Sequence, residues 1–298
     1  MGTRFELVLD GDDETRLRAA GEEALFEIEE VDRRLSLFRR DSLLSHIMRT
    51  APREPVRVDL DTFELLTLCA EVHGLTGGAF DPTIAPLMQA LGLHQDSQVP
   101  ELEEPDARDL VGWDAVQLDP EQHSVRFSRP DIALDLGGVA KGHALDLAAR
   151  SLRDSGVICG LLHGGTSTVL ALSPPPGESS WRIRLGAGAA SPVAQLTRDA
   201  LSVSAPHGRV AGEHHHVLDP ETGLSSEGVA VAAALSESAA KADAWSTALL
   251  VRGSRLTPPV DVELLHAPER SHADDDLQWC RGSHVSDRFQ VPTTAVPR

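Results

Sequence analysis

The chain has 298 residues with 41% apolar content, enough for one large domain or two modest ones, and its 27 Lys and Arg against 46 Asp and Glu give a formal net charge of −19. Such a surface repels nucleic acid and anionic membrane, and no stretch is long and apolar enough to span a bilayer, so neither partner is expected. The cysteines Cys69, Cys159 and Cys280 lack metal-ligand spacing, and Met1 runs straight into strand-like sequence without a charged and apolar leader, so a cytoplasmic location is expected.

Taken in chain order, Arg4 to Asp10 alternates like a strand. Asp13 to Leu35 is helical, with Leu17, Ala20, Ala24, Ile28, Val31 and Leu35 at three- and four-residue steps. A second helix is expected from the cap candidate Asp61 through Leu65, Leu66, Leu68, Cys69 and Val72 to a Gly77-Gly78 stop. Residues 95–108 are acidic and proline-bearing, as in a surface loop. Short strands follow around Val116 and Val125, then a strand over Ile132 to Leu136, a helix over Val139 to Ser155, and strands over Val157 to Leu162 and Thr168 to Leu172. Trp181 to Leu185, Ala194 to Thr197, Leu201 to Ser204, His215 to Leu218 and Val229 to Leu235 read as successive strands. Ser238 to Arg252 is helical and Val260 to Leu265 reads as the last strand. No repeat or linker interrupts residues 1–265, which predict one α+β body, and residues 266–298 form a polar, aperiodic tail expected to be poorly ordered.

Two runs carry the chemistry. In Ala242-Asp243-Ala244-Trp245-Ser246-Thr247, Asp243 and Thr247 share one helix face. A carboxylate beside a hydroxyl suits Mg²⁺, which takes one or two protein carboxylates and lets substrate phosphates complete its shell. In Leu134-Asp135-Leu136-Gly137-Gly138-Val139-Ala140-Lys141-Gly142, a strand ending in Asp leads through Gly-Gly into a helix, a layout that offers backbone N–H groups to phosphate. Its glycine spacing is neither a dinucleotide fingerprint nor a P-loop. Of the only two lysines, Lys141 lies in the second run and Lys241 immediately precedes the first.

Against these stand plainer readings. An Asp–Thr pair one turn apart is usually solvated surface, and a strand–Gly-Gly–helix junction is often only tight packing. An Asp amid the small apolar residues of Ser238–Leu250, however, is either buried with a partner or faces a cleft. His214-His215-His216 cannot all ligate one ion from a strand, because neighbours point to opposite faces. They are either an exposed strand end or include one general base, and alternation sets His215 apart from His214 and His216. Gly77-Gly78-Ala79-Phe80-Asp81-Pro82-Thr83 reads as a helix stop or as a backbone platform for a flat ring.

Together these runs resemble the ApbE-type FAD:protein FMN transferases. The resemblance follows family order over residues 1–265: Met1-Gly2-Thr3; Leu35-Ser36-Leu37-Phe38 with Asp41-Ser42; Gly78 to Thr83; Asp135 to Gly142 with Asp146; Gly164-Gly165; His216 to Pro220 with Thr222-Gly223; and Ala242 to Ala248. It implies a T-fold-like mixed sheet with flanking helices and an FAD cleft between two halves. It also implies Mg²⁺-dependent transfer of the FMN half of FAD to a Thr or Ser hydroxyl of an acceptor flavoprotein, with release of AMP. By motif position, Met1, Phe38, Ala79, Phe80, Asp81, Asp135, Lys141 and Val217 correspond to FAD contacts. Gly138 through its carbonyl oxygen, Asp243 and Thr247 correspond to metal ligands, and His216 to the base for the incoming hydroxyl. The chain departs from the family where Phe38 often is Tyr, where His143 replaces a Tyr and where Thr166 replaces an Asp, changes that bear on substrate geometry. Two rivals use the same residues: an FAD pyrophosphatase, in which water replaces the acceptor hydroxyl, and a non-catalytic flavin-binding protein.

Overall fold

The computed structural model describes residues 2–94, 97–186, 191–206, 210–211, 214–268, 279–281 and 288–291. In chain order the first elements are β1 (Phe5–Asp10), α1 (Glu14–Leu35), α2 (Leu43–Thr50), β2 (Val56–Arg57), α3 (Leu60–Leu75), α4 (Ala85–Ala90) and α5 (Glu104–Arg108). Then come β3 (Val116–Asp119), β4 (Ser124–Phe127), α6 (Ala140–Asp154), β5 (Cys159–Gly164), β6 (Thr168–Ala171), β7 (Trp181–Arg184) and β8 (Val193–Leu196). The last are β9 (Ala200–Ser204), β10 (Val210–Ala211), β11 (His214–His215), β12 (Val229–Ser236), α7 (Ala239–Arg252), β13 (Glu263–Pro268), β14 (Cys280–Arg281) and β15 (Phe289–Gln290).

These elements form two compact units, each built from separated stretches of chain: residues 29–140 with 206–226, and residues 2–28 with 141–205 and 227–298. The second unit is organised by an antiparallel sheet of order β1-β5-β6-β9-β12-β13-β14. On one face of it Leu161, Val169, Leu201, Ala233, Leu235 and Leu265 pack with Ala194, Leu196 and Phe289 of the smaller sheet β15-β8-β7. Strand alternation turns Thr168 and Ser202 to the other face, where α7 packs on β9 and β12. The residues between Ala239 and Leu250 that are small let the helix lie close to that face, and Ala242, Ala244 and Ala248 are fully buried.

The first unit has its own core. Helices α2 and α3 bury Leu44, Ile47, Phe63, Leu65, Leu66, Cys69 and Val72, and the sheet β2-β4-β3 buries Val56, Val125 and Phe127. A satellite cluster joins Leu87, Met88 and Leu93 to Leu218. Helix α3 starts at the cap Asp59, whose carboxylate accepts from Thr62 N–H, rather than at Asp61. Asp59 also pairs with Arg34 and with the Thr62 hydroxyl, so the tertiary partner selects the earlier of two plausible caps.

Other expectations are corrected as well. Ile132–Leu136 is buried except at Asp135 but forms no strand, because it has no ladder partner and is held instead by single bonds such as Asp135 N–H to the Pro82 carbonyl at 2.7 Å. The strand anticipated over His215 to Leu218 is β11 alone, ending at His215, with Leu218 making only an isolated bridge to Ser225. The final strand begins at Glu263 rather than Val260, which is 89% exposed. In the tail, β14 pairs with β13, β15 pairs with β8, and Arg288 bonds both Asp199 and Glu263. Among the described residues no helix is long and apolar enough to cross a membrane.

Candidate active site

The centre of the second unit's site is Asp243, a carboxylate only 2% exposed. Helix α7 reaches its position through two devices on α6 that lie one helical turn apart. Asp146 covers the N-terminus of α7: its carboxylate accepts from Ala239 N–H (2.8 Å), Ala240 N–H (3.0 Å) and the Ser238 hydroxyl (2.8 Å). The Ser238 hydroxyl in turn accepts from Lys241 N–H, as an N-cap should. Gly142, on the same face of α6 as Asp146, lets the helices touch, because a Cβ there would lie 2.1 Å from the Ala239 carbonyl oxygen. Burial pushes the Asp146 carboxyl up from its ordinary range, with the three donors pulling the other way.

Four groups then converge on the Asp243 carboxylate. Lys141 Nζ lies 3.1 Å from each carboxylate oxygen, and Gly142 N–H donates to Oδ2 at 3.3 Å. The Ser202 hydroxyl donates to Oδ1 at 3.1 Å, and Thr168 reaches the same oxygen at 3.5 Å. Thr168 and Ser202 are cross-strand partners in the β6–β9 ladder, with their hydroxyls 3.2 Å apart. Ser246 continues the line from Ser202 to Ser204, at 3.2 and 2.8 Å. A nearly fully buried charge is costly unless paired and hydrogen-bonded, and here it is both. Thr247, one turn on and half-buried, donates its proton to the Asp243 carbonyl at 3.1 Å, so its oxygen has only lone pairs left to offer.

The first unit holds the other residues singled out from the sequence. Phe38 is 41% exposed and meets the edge of His94, with ring centroids 5.8 Å apart. His94 Nε2 lies 2.8 Å from Asp135 Oδ2, while Asp135 Oδ1 accepts from Gly137 N–H at 2.7 Å, so this carboxylate ties the Gly137-Gly138 turn to a buried histidine. Ala79 and Phe80 are buried, with Phe80 N–H bonded to the Thr76 hydroxyl. Asp81 caps the short helical turn Pro82–Ile84 through Thr83 and lies 3.4 Å from His73. Burial holds its carboxyl above the ordinary range against the pull of Thr83 and His73. His216 and Val217 are half-buried beyond the end of β11, and the Val217 carbonyl accepts from Ser226 N–H. Because His216 lies outside any strand, the alternation argument that set His215 apart from it does not apply. Met1 lies outside the described residues.

A sequence model of the ApbE family matches residues 1–258. The chain belongs to the ApbE family. It is 29% identical over 265 residues to the FAD:protein FMN transferase of Rhodobacter capsulatus, covering 83% of this chain and 50% of that one. Against the FAD:protein FMN transferase of Escherichia coli strain K12 it is 27% identical over 271 residues, covering 85% of this chain and 76% of that one. The chain thus spans half the length of the first relative and about three quarters of the second. The fold matches the flavin transferase ApbE from Vibrio cholerae at TM-score 0.80 and 23% identity, over 95% of both chains. It matches the ApbE protein from Thermotoga maritima at TM-score 0.80 and 25% identity, over 95% of this chain and 94% of that one. The α+β fold read from the sequence is therefore that of solved ApbE structures, and the sheet expected to be mixed pairs its named strands antiparallel throughout.

For a divalent cation the ApbE residues of the second unit make a suitable donor set. Asp243 and Thr247 offer hard oxygens, one charged and one with its proton already committed. Among the described residues no three His, Cys, Asp or Glu side chains cluster as a metal cage would need. One carboxylate plus a hydroxyl fits Mg²⁺, which shares its shell with substrate phosphates, better than Zn²⁺. Gly138 belongs to the other unit, and its part rests on the resemblance alone. The sequence reading missed His94, Thr168 and Ser202, and it gave Asp146 no task. The Gly142/Asp146 spacing on one helix face was a legible signal, whereas Thr168 and Ser202 meet Asp243 only through sheet register.

Proposed function

We propose that this protein transfers the FMN moiety of FAD to a Thr or Ser hydroxyl of an acceptor flavoprotein and releases AMP, in a reaction that requires Mg²⁺. The observation that carries the reading is the buried Asp243 with Lys141 and Thr247 beside it, in a chain of the ApbE family. Phosphoryl transfer demands positioning and charge neutralisation more than covalent chemistry by the protein. Bound Mg²⁺ would supply charge neutralisation at the pyrophosphate, held by Asp243 and Thr247. Lys141, in the first turn of α6, offers a second positive charge beside a helix N-terminus, where phosphate oxygens are favoured. Phe38 offers an exposed aromatic face for a flavin or adenine ring. His216 takes the proton of the acceptor hydroxyl as that oxygen bonds to the FMN phosphorus, and the bond from this phosphorus to the bridging oxygen breaks with AMP as the leaving group.

The test is mass spectrometry of a candidate acceptor flavoprotein after incubation with this protein, FAD and Mg²⁺. One phosphoester-linked FMN per acceptor, with an equal amount of AMP and none of either when a chelator is present, is the expected result. Free FMN and AMP formed at the same rate without an acceptor would replace the transferase reading with a pyrophosphatase, and no turnover of FAD would end both.

A further inference from the structure

The partners of Asp243 divide into two kinds. Gly142 N–H, Ser202 and Thr168 are neutral donors held on or next to the backbone of α6, β9 and β6, with little reach away from the carboxylate. Lys141 is different. Its ammonium sits at the end of a flexible four-carbon stem and faces both oxygens of the carboxylate at 3.1 Å. An ammonium so placed faces both oxygens that a metal ion would need, and a second cation on the same carboxylate would be repelled by it. The neutral donors would hold the carboxylate in place once the ammonium has gone.

We propose that Lys141 is the resident counter-ion of Asp243, and that the site takes up a divalent cation by exchange, with the Lys141 ammonium released to the anionic phosphates of the substrate. This rests on the reading of the site given under the proposed function and adds to it an order of events. Lys141 holds the site closed to cations while no phosphate is present to receive its charge. Its root in the first turn of α6 leaves the released ammonium beside a helix N-terminus, where phosphate oxygens are favoured. Lysine fits this task better than arginine, since a compact ammonium can move between partners whereas a planar fork is tied to one geometry.

The exchange makes a prediction of unusual sign. Removing Lys141 from a site that it merely supports should weaken metal binding, whereas removing a competing cation should strengthen it. The experiment is isothermal titration of Mg²⁺ into the full chain without FAD, for the wild type, Lys141→Met, Lys141→Gln and Lys141→Arg. The expected result is Mg²⁺ affinity raised by about 5- to 150-fold in the Met and Gln variants, the range of a typical coupling between two bound groups. Lys141→Arg should bind no tighter than the wild type. Gln carries the test if Met does not fold. Affinity unchanged or weakened in the neutral variants, with the wild type still binding Mg²⁺, overturns the exchange and leaves the metal assignment standing. No Mg²⁺ binding by any form overturns the exchange, and the metal assignment is then decided by the chelator arm of the FMN-transfer assay.

Discussion

Replacing Gly142 by Ala tests whether the contact between α6 and α7 sets the geometry of the site. The added Cβ would lie 2.1 Å from the Ala239 carbonyl oxygen, 2.3 Å from its carbon and 2.5 Å from Ala240 N. All three are backbone atoms, so no side chain can swing aside. To reach the 3.4 Å at which ordinary contact begins, the first turn of α7 must retreat by at least about 1.3 Å. That retreat stretches the bonds from Ala239 and Ala240 N–H to Asp146, and it draws Asp243 away from Gly142 N–H. Overpacking of this kind costs about 1–3 kcal/mol, and weakening the cap adds roughly 1 kcal/mol. At about 2–4 °C per kcal/mol, a fall in Tm of the order of 5–10 °C is expected by calorimetry. Displacing a reacting group by about 1 Å can cost 10²-fold in rate, so FMN transfer should fall by that order. Gly74→Ala is the control, since nothing lies within 4 Å of its would-be Cβ in α3, and it should be neutral or slightly stabilising. A Gly142→Ala variant with the melting temperature and rate of the wild type would refute the argument.

Three further outcomes follow from other parts of the molecule. Asp146→Asn keeps the shape but leaves at least one of three donors unsatisfied, so the urea midpoint should fall by the equivalent of about 1–3 kcal/mol; an unchanged midpoint would remove Asp146 as the cap of α7. His216→Asn should lower kcat by about 10²–10⁴-fold and leave FAD affinity nearly unchanged, and near-wild-type transfer would take the histidine out of the mechanism. Burial raises the Asp59 carboxyl, but the bonds from Arg34 and Thr62 outweigh it and hold the group below its ordinary range. A depressed carboxyl contributes stability above its unfolded value and loses it as pH falls through the folded value, below pH about 4. Asp59→Asn should therefore be less stable near neutrality and flatten the acid limb of the stability profile below that pH, whereas a limb parallel to the wild type would show that the pair with Arg34 contributes nothing.

Much of the local structure was legible because it is written in near-neighbour spacing. The stripe Ala20, Ala24, Ile28, Val31, Leu35 buries one face of α1, and Ser238 ahead of an alanine-rich run starts α7. The placing of Asp243 and Thr247 on one helix face was likewise implicit in their separation, and ordered short motifs sufficed to recognise the family. What the sequence could not state depends on which strands meet. Thr168 faces Ser202 because β6 pairs with β9 in one register, and that pairing supplies two of the donors that surround a carboxylate far away along the chain. The choice of Asp59 over Asp61 as a cap required Arg34, and the pairing of Asp135 with His94 required a buried segment that propensity alone reads as a strand. The tail carries too few apolar residues to show any period, yet Phe289 is fully buried and Arg288 bridges Asp199 and Glu263. In each case the deciding free energy comes from a partner distant in sequence. Periodicity and capping act over one or two turns of chain, so such a choice exists only once the sheet and its helices have assembled.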